Sequence, residues 1–182
     1  LRPGRDLVLY WMIASRRVRF NPALQRAVEL ARELGKPLVV LEALRCDHPH
    51  ASDRFHAFVL EGMAENARRL AGRALYHPYV EPARGAGKGL LAALAARACA
   101  VVTDDYPTSF LPRAVEAAAR SVDVRLKAVD GSCLVPFRLG GKDFPTAYAY
   151  RRHLQRTLPR FLDLLPAADP LPAAADPLPA TD

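Results

Sequence analysis

The apolar positions of this chain fall into two alternating rhythms. Short, nearly continuous apolar runs occur at Leu7–Met12, Pro37–Leu44, Ala74–Val80, Cys99–Thr103 and Val124–Val129. Between them the spacing widens to the 3.6-residue period of a helix with one buried face. Leu24, Ala27, Val28, Ala31 and Leu34 repeat at that period. Asn21 precedes them as an N-cap, Pro22 suits the first turn, and Gly35 with Lys36-Pro37 stops the helix. A second helix opens at Ser52, turns Phe55, Val59, Met63, Ala67 and Leu70 inward and ends at Gly72. A third runs from about Lys88 to Arg97. A fourth opens at Leu111-Pro112 and buries Val115, Ala118 and Val122. A fifth covers about Thr146 to Leu158, where Pro159 breaks it.

Alternation of strand and helix demands parallel neighbours joined by right-handed crossovers. Near-continuous apolar strands predict burial on both faces. The expected fold is therefore α/β, a doubly wound, Rossmann-like five-stranded parallel sheet of order 3-2-1-4-5 with helices on both faces. After Leu165 the rhythm is lost. Residues 166–182 repeat Ala-Asp-Pro-Leu-Pro, and Leu171 and Leu178 are their only large apolar residues. So little apolar area does not offset the entropy of ordering. The expectation is an α/β domain over residues 1–165, then an extended, weakly packed linker over 166–182 that leads to a partner domain outside the chain.

Composition narrows the class. With 51% hydrophobic residues in 182, one sizeable core is affordable. No apolar run approaches the roughly 18 residues that cross a bilayer, and Leu1-Arg2-Pro3-Gly4-Arg5 does not look like a signal peptide. The three cysteines, Cys46, Cys99 and Cys133, are far apart in sequence, which suits a reducing compartment better than a disulfide framework. A cytoplasmic monomer without membrane contact is expected. The formal charge of +7 would attract nucleic acid non-specifically, yet the arginines are scattered. Their densest group, Arg151, Arg152, Arg156 and Arg160 with His153, reads as a cationic face opposite Tyr148, Leu154 and Leu158. It suits solvent, a partner domain or a phosphate.

In open α/β sheets ligands sit outside the carboxyl ends of the strands. The candidates there are Trp11, Met12, Arg16 and Arg17 after the first strand, Asp47 after the second, and Asp104, Asp105 and Tyr106 after the fourth. Planar ligands want apolar faces and a few placed polar groups. Trp11 and Met12 would supply the wall, Arg16 or Arg17 would meet an acidic or carbonyl edge, and Asp104 or Asp105 would accept from a ring N–H. The plainer reading of Thr103–Pro107 is an Asx-type turn, and Asp130-Gly131 reads as a turn. Arg84-Gly85-Ala86-Gly87-Lys88-Gly89 looks like a phosphate loop but departs from one, because Pro82 and Gly89 stand where a P-loop needs Gly and Ser or Thr; a weak phosphate contact at the helix N-terminus stays open. The segment reads as a flexible turn, and a ligand is expected away from Gly85–Gly89. His48, His50, His56, His77 and His153 show no metal-ligand spacing, no nucleophile elbow is present, and neither a metal nor a catalytic residue is expected.

Five segments together carry a family resemblance: YWMIASRRVRFNPALQRAVELARELGKPLVVLEAL, RFHAFVLEGMAENARRL, VVTDDYP, VDGSCLVP and TAYAYRRHLQRTLPRFL. In order and spacing, from about Asp6 to Leu165, they resemble the N-terminal α/β domain of the DNA photolyase and cryptochrome family. The nearest type is class II, which repairs cyclobutane pyrimidine dimers. The resemblance implies a light-harvesting domain for a second chromophore, a deazaflavin more than a folate. It assigns FAD, damaged DNA and light-driven repair, a carbon–carbon lyase reaction, to a C-terminal domain. The single tryptophan, Trp11, leaves no tryptophan chain for photoreduction here, so this chain alone is expected to be inactive. The alternatives are a cryptochrome-like light sensor, or a stand-alone nucleotide-binding α/β module. The second would need a phosphate-cradling glycine loop after the first or fourth strand.

Overall fold

The computed structural model describes residues 1–48, 51–141, 143–171 and 178–179. Strands β1 (Leu7–Met12), β2 (Leu38–Leu44), β3 (Leu75–Val80), β4 (Ala98–Asp105) and β5 (Leu126–Asp130) form one parallel sheet of order β3-β2-β1-β4-β5. This is the expected order. The helices are α1 (Pro22–Leu34), α2 (Asp53–Leu70), α3 (Leu90–Ala95), α4 (Leu111–Ser121) and α5 (Ala147–Thr157). Asn21 caps α1 by accepting from the Leu24 amide at 2.9 Å, and Gly35 closes the helix in the left-handed region at φ 60°. Ser52 caps α2 by accepting from the Phe55 amide at 3.2 Å. Pro159 falls in a short 3-10 turn, Leu158–Arg160, directly after α5.

The pleat divides the core in two, because successive strand residues point to opposite faces. Val8, Tyr10 and Met12 pack with Val40, Ala100 and Val102 beneath α1. Leu7, Leu9, Val39, Leu41 and Val101 pack on the other face against α3, joined by Trp11, Tyr79, Leu90 and Leu91.

Several expectations are corrected. Burial on both faces holds for β1, β2 and β4 but not for β3, where Leu75 and Val80 are half exposed, or for β5, where Lys127 and Ala128 are exposed. Those two strands are the sheet edges, with a neighbour on one side only. On α2 the inward stripe is Val59, Met63, Asn66 and Leu70, whereas Phe55 is exposed and stacks on His48 with 6.2 Å between ring centroids. Helix α3 is shorter than its apolar pattern. On α5, Tyr148 shares a face with Arg152, whose guanidinium lies 5.9 Å from the ring centroid. The i,i+4 spacing requires this, so the ring is not opposite the cationic face.

The largest correction concerns the proline-rich segment. It is irregular, as expected, but it does not lie loose. Leu171 is 6% exposed and enters the core beside α1, with Leu178 packed partly against the same cluster. Arg73 donates to both carboxylate oxygens of Asp169 at 2.9 and 3.0 Å and to the Leu171 carbonyl at 3.0 Å. The Ala167 amide donates to the Gln25 side chain at 2.9 Å. The arginine holds the Asp169 carboxyl below its ordinary range. Two leucines were too few to predict packing, but one of them reaches the core. Most of the second repeat, and His50, lie outside the described residues.

Candidate functional site

The carboxyl edge of the sheet brings the sequence candidates close together in space and then separates them by face. Asp104 ends up inside the protein. It is 3% exposed. Its Oδ1 accepts from the Tyr10 hydroxyl at 2.9 Å, and its Oδ2 accepts from the amides of Ile13, Ala14 and Ser15 at 2.9, 2.8 and 3.1 Å. Burial and the adjacent carboxylate raise the Tyr10 hydroxyl pKa well above its usual value. The Asn21 amide donates to the Ser15 and Arg17 carbonyls at 3.0 and 2.8 Å, closing the β1–α1 loop from its other end.

Arg16 is likewise turned inward. Its Nε donates to Glu42 at 2.8 Å and its Nη1 to the Ala43 carbonyl at 3.2 Å. Glu42, 1% exposed, also accepts from Asn66 at 2.9 Å and from the Tyr76 hydroxyl at 2.6 Å. Burial, and then the Glu42 carboxylate, push the Tyr76 hydroxyl strongly upward. Met12 is buried beneath this network, with the Asn66 amide 3.8 Å from its sulfur. Arg17 donates to the Arg19 and Phe20 carbonyls at 3.2 and 3.0 Å. Asp105 is held by Arg138, one contact being 2.9 Å, and Tyr106 is exposed. Asp47 pairs with Arg45 and Arg84 at 2.7 and 3.1 Å.

Trp11 stands apart from these. It projects to the α3 face and lines a cavity of about 420 Å³ with Leu41, Tyr79, Glu81, Lys88 and Leu91, among others. This volume is within the range of small-molecule sites. Trp11 and Met12 therefore cannot form one wall, because adjacent strand residues face opposite ways. The cavity also takes in Gly85 and Gly87, so the concave surface at this edge includes the glycine turn that sequence reasoning set aside.

That turn is built, not slack. Gly85 and Gly89 have φ of 81° and 88°, a region that costs other residues strain. A Cβ on Gly87 would lie 3.0 Å from the Tyr79 ring. Glu81 organises the turn: Oε1 accepts from the Gly85 and Gly87 amides at 2.9 and 3.4 Å, and Oε2 accepts from the Cys46 amide and thiol at 3.2 and 3.5 Å. Burial pushes the Glu81 carboxyl up, but these donors outweigh it, so the group sits below its ordinary range. The Cys46 thiol is pushed up by burial and by Glu81. Sequence reasoning did not single out Tyr79 or Glu81, and it set Lys88 aside with the glycine turn. The available signal was an acid at the end of β3, four residues before a glycine, with an aromatic two residues earlier.

The lining includes two cations, Lys88 and Arg45, one carboxylate, Glu81, and two aromatic side chains, Trp11 and Tyr79. This set suits a planar ligand with polar edges. Among the described residues no group of His, Cys, Asp and Glu is arranged to hold a metal, and no helix is long and apolar enough to cross a membrane.

Comparison with known proteins agrees with this architecture. The family model described as DNA photolyase matches residues 8–173. A deoxyribodipyrimidine photo-lyase of Methanothermobacter thermautotrophicus is 33% identical over 156 residues, which is 85% of this chain and 34% of that protein. The chain thus spans about a third of the length of this curated relative. Two solved universal stress proteins also resemble it weakly. One, from Archaeoglobus fulgidus, has TM-score 0.48 at 14% identity over 67% of this chain and 97% of its own. The other, in complex with cAMP, has TM-score 0.43 at 15% identity over 71% of this chain and all of its own. Neither likeness is close enough to bear on function. The match across most of the chain, with a third of aligned positions identical to a photo-lyase, means that this chain belongs to the DNA photolyase family.

Proposed function

We propose that this chain is the light-harvesting α/β domain of a class II-type photolyase, and that the cavity beside Trp11 seats a planar antenna chromophore, a deazaflavin in preference to a folate. The observation that carries the site is the cavity itself, with an indole and a phenol on its walls and a cation at its rim. Trp11, Tyr79 and Leu41 would contact the faces of the ring system. Lys88 and Arg45 would meet carbonyl or acidic edges, and Glu81 would accept from a ring N–H or hydroxyl. When bound, such a group supplies light absorption and passes the excitation onward.

This reading moves the ligand away from Met12, Arg16, Arg17, Asp104, Asp105 and Tyr106. Except for Tyr106, each of these is buried or bonded within the protein. Asp47 would act only by steadying Arg45 and Arg84. FAD, the pyrimidine dimer and the lyase chemistry would belong to a second domain, docked on exposed surfaces of this one in the cytoplasm. Helix α5, with no buried residue, is such a surface.

The test is reconstitution with a deazaflavin, followed by fluorescence titration and energy transfer from Trp11. Saturable 1:1 binding that quenches Trp11 supports the reading. Absence of binding in the full-length protein as well as in this chain overturns it. In the isolated chain, repair of dimer-containing DNA under light is expected to be absent.

A further inference from the structure

Two groups of backbone N–H donors converge at the carboxyl edge of the sheet. Such clusters are where doubly wound folds hold phosphate oxygens. In this chain both clusters are filled from within. After β1, three successive amides, those of Ile13, Ala14 and Ser15, donate to the Asp104 carboxylate. After β3, the amides of Gly85 and Gly87 donate to Glu81, as does Cys46 from the neighbouring loop. Both carboxylates are buried, at 3% and 7% exposure.

We infer that Asp104 and Glu81 each occupy the seat of an anion, and that Glu81, which lines the cavity, is a specificity residue, so the cavity selects a chromophore that is not gripped by phosphate. The inference rests on the chromophore reading above and sharpens it. An incoming phosphate meets a buried like charge where it would need a donor, and in a low-dielectric site that repulsion is strong. The amides have no spare protons to offer, since each N–H supplies one. Recognition is then left to ring faces against Trp11 and Tyr79 and to side chains at the rim. The same arrangement explains how a glycine turn that looks like a phosphate loop does not act as one. Its φ values open the turn and its amides point inward, but a carboxylate four residues upstream takes them.

The test uses wild type, Asp104→Ala, Glu81→Ala and Asp104→Asn, the last keeping an acceptor oxygen. Thermal unfolding is followed at constant ionic strength while inorganic phosphate replaces chloride. Each alanine variant, its amides emptied, gains a saturable rise in Tm of about 2–6 °C, while wild type and Asp104→Asn give none. If Asp104→Ala does not fold, Glu81→Ala carries the same test at the glycine turn. In parallel, riboflavin and its 5′-phosphate are titrated by fluorescence. Wild type binds riboflavin roughly tenfold more tightly, and Glu81→Ala narrows that ratio. Folded alanine variants blind to phosphate, or wild type that binds the two flavins equally, overturn the inference. If neither flavin binds while the phosphate responses appear, the carboxylates are confirmed as occupants of the anion seats and the chromophore reading is what fails.

Discussion

At its carboxyl edge the sheet has one closed face and one open face. Toward α1 and α2, Glu42, Arg16, Asn66, Tyr76, Tyr10 and Asp104 interlock by hydrogen bonds over Met12, and little space is left. Toward α3, Trp11, Tyr79, Leu90 and Leu91 meet less completely and leave the cavity. The two faces are formed by alternate residues of the same strands. The difference teaches that chemistry-bearing residue types on a strand end do not mark a site by themselves. On the closed face the charged groups serve to hold loops. On the open face the aromatic groups are left with surface to offer.

The sharpest break of this comparison is Glu42→Ala. It leaves the Arg16, Asn66 and Tyr76 donors without their shared acceptor, and removal of one buried ionic partner costs about 3–5 kcal/mol. Denaturant unfolding measures the loss, and a value near zero would mean that the closed face does not depend on this network.

Next comes the adjacent pair. Met12→Ala is expected to cost about 2–4 kcal/mol of stability and to leave deazaflavin affinity of the folded protein unaltered. Trp11→Ala should lower that affinity roughly tenfold to a hundredfold, a loss typical of an aromatic anchor. The two phenotypes separate if the faces differ as described. If both variants weaken binding alike, the division by face is wrong.

Leu171→Ala tests whether the proline-rich segment belongs to the closed face. A leucine entering the core beside α1 should cost about 2–3 kcal/mol on truncation, whereas a leucine in a loose linker would cost under about 0.5 kcal/mol.

The smallest effect concerns pH at the open face. The Glu81 carboxyl titrates below its ordinary value of 4.5, so the loops it holds gain stability from it that is fully present above that value. The gain is lost as pH falls through the lowered value. Amide exchange at Cys46, Gly85 and Gly87 should therefore show no loosening on acidification until pH drops beneath about 4.5. Loss of protection at neutral pH would contradict the assignment.

Much of the fold is legible in the residues because its signals are local. Asn21-Pro22 and Gly35 bound α1 through cap geometry confined to a few residues. The alternation of strand and helix patterns, with right-handed crossovers, leaves few ways to order five strands. The site was less legible. Asp104 was singled out as a ligand acceptor, but whether its carboxylate faces a ligand or the β1–α1 loop depends on where Ile13, Ala14 and Ser15 lie, some ninety residues away in sequence. Trp11 was expected to form a wall, while its partners on that wall, Tyr79 and Lys88, come from an edge strand and from a glycine turn that the sequence reading set aside.

The sequence by itself determined the class of fold, the strand order, the helix caps and the family, since periodicity, capping chemistry and shared segments are all written in the order of residues. Only the tertiary structure decided which strand-end side chains turn inward, that Leu171 is core, and that the open space lies beside the glycine turn. Those outcomes depend on donors and acceptors meeting across long separations in the chain. A buried carboxylate goes to whichever amides the fold brings near it, because leaving either unpaired is costly.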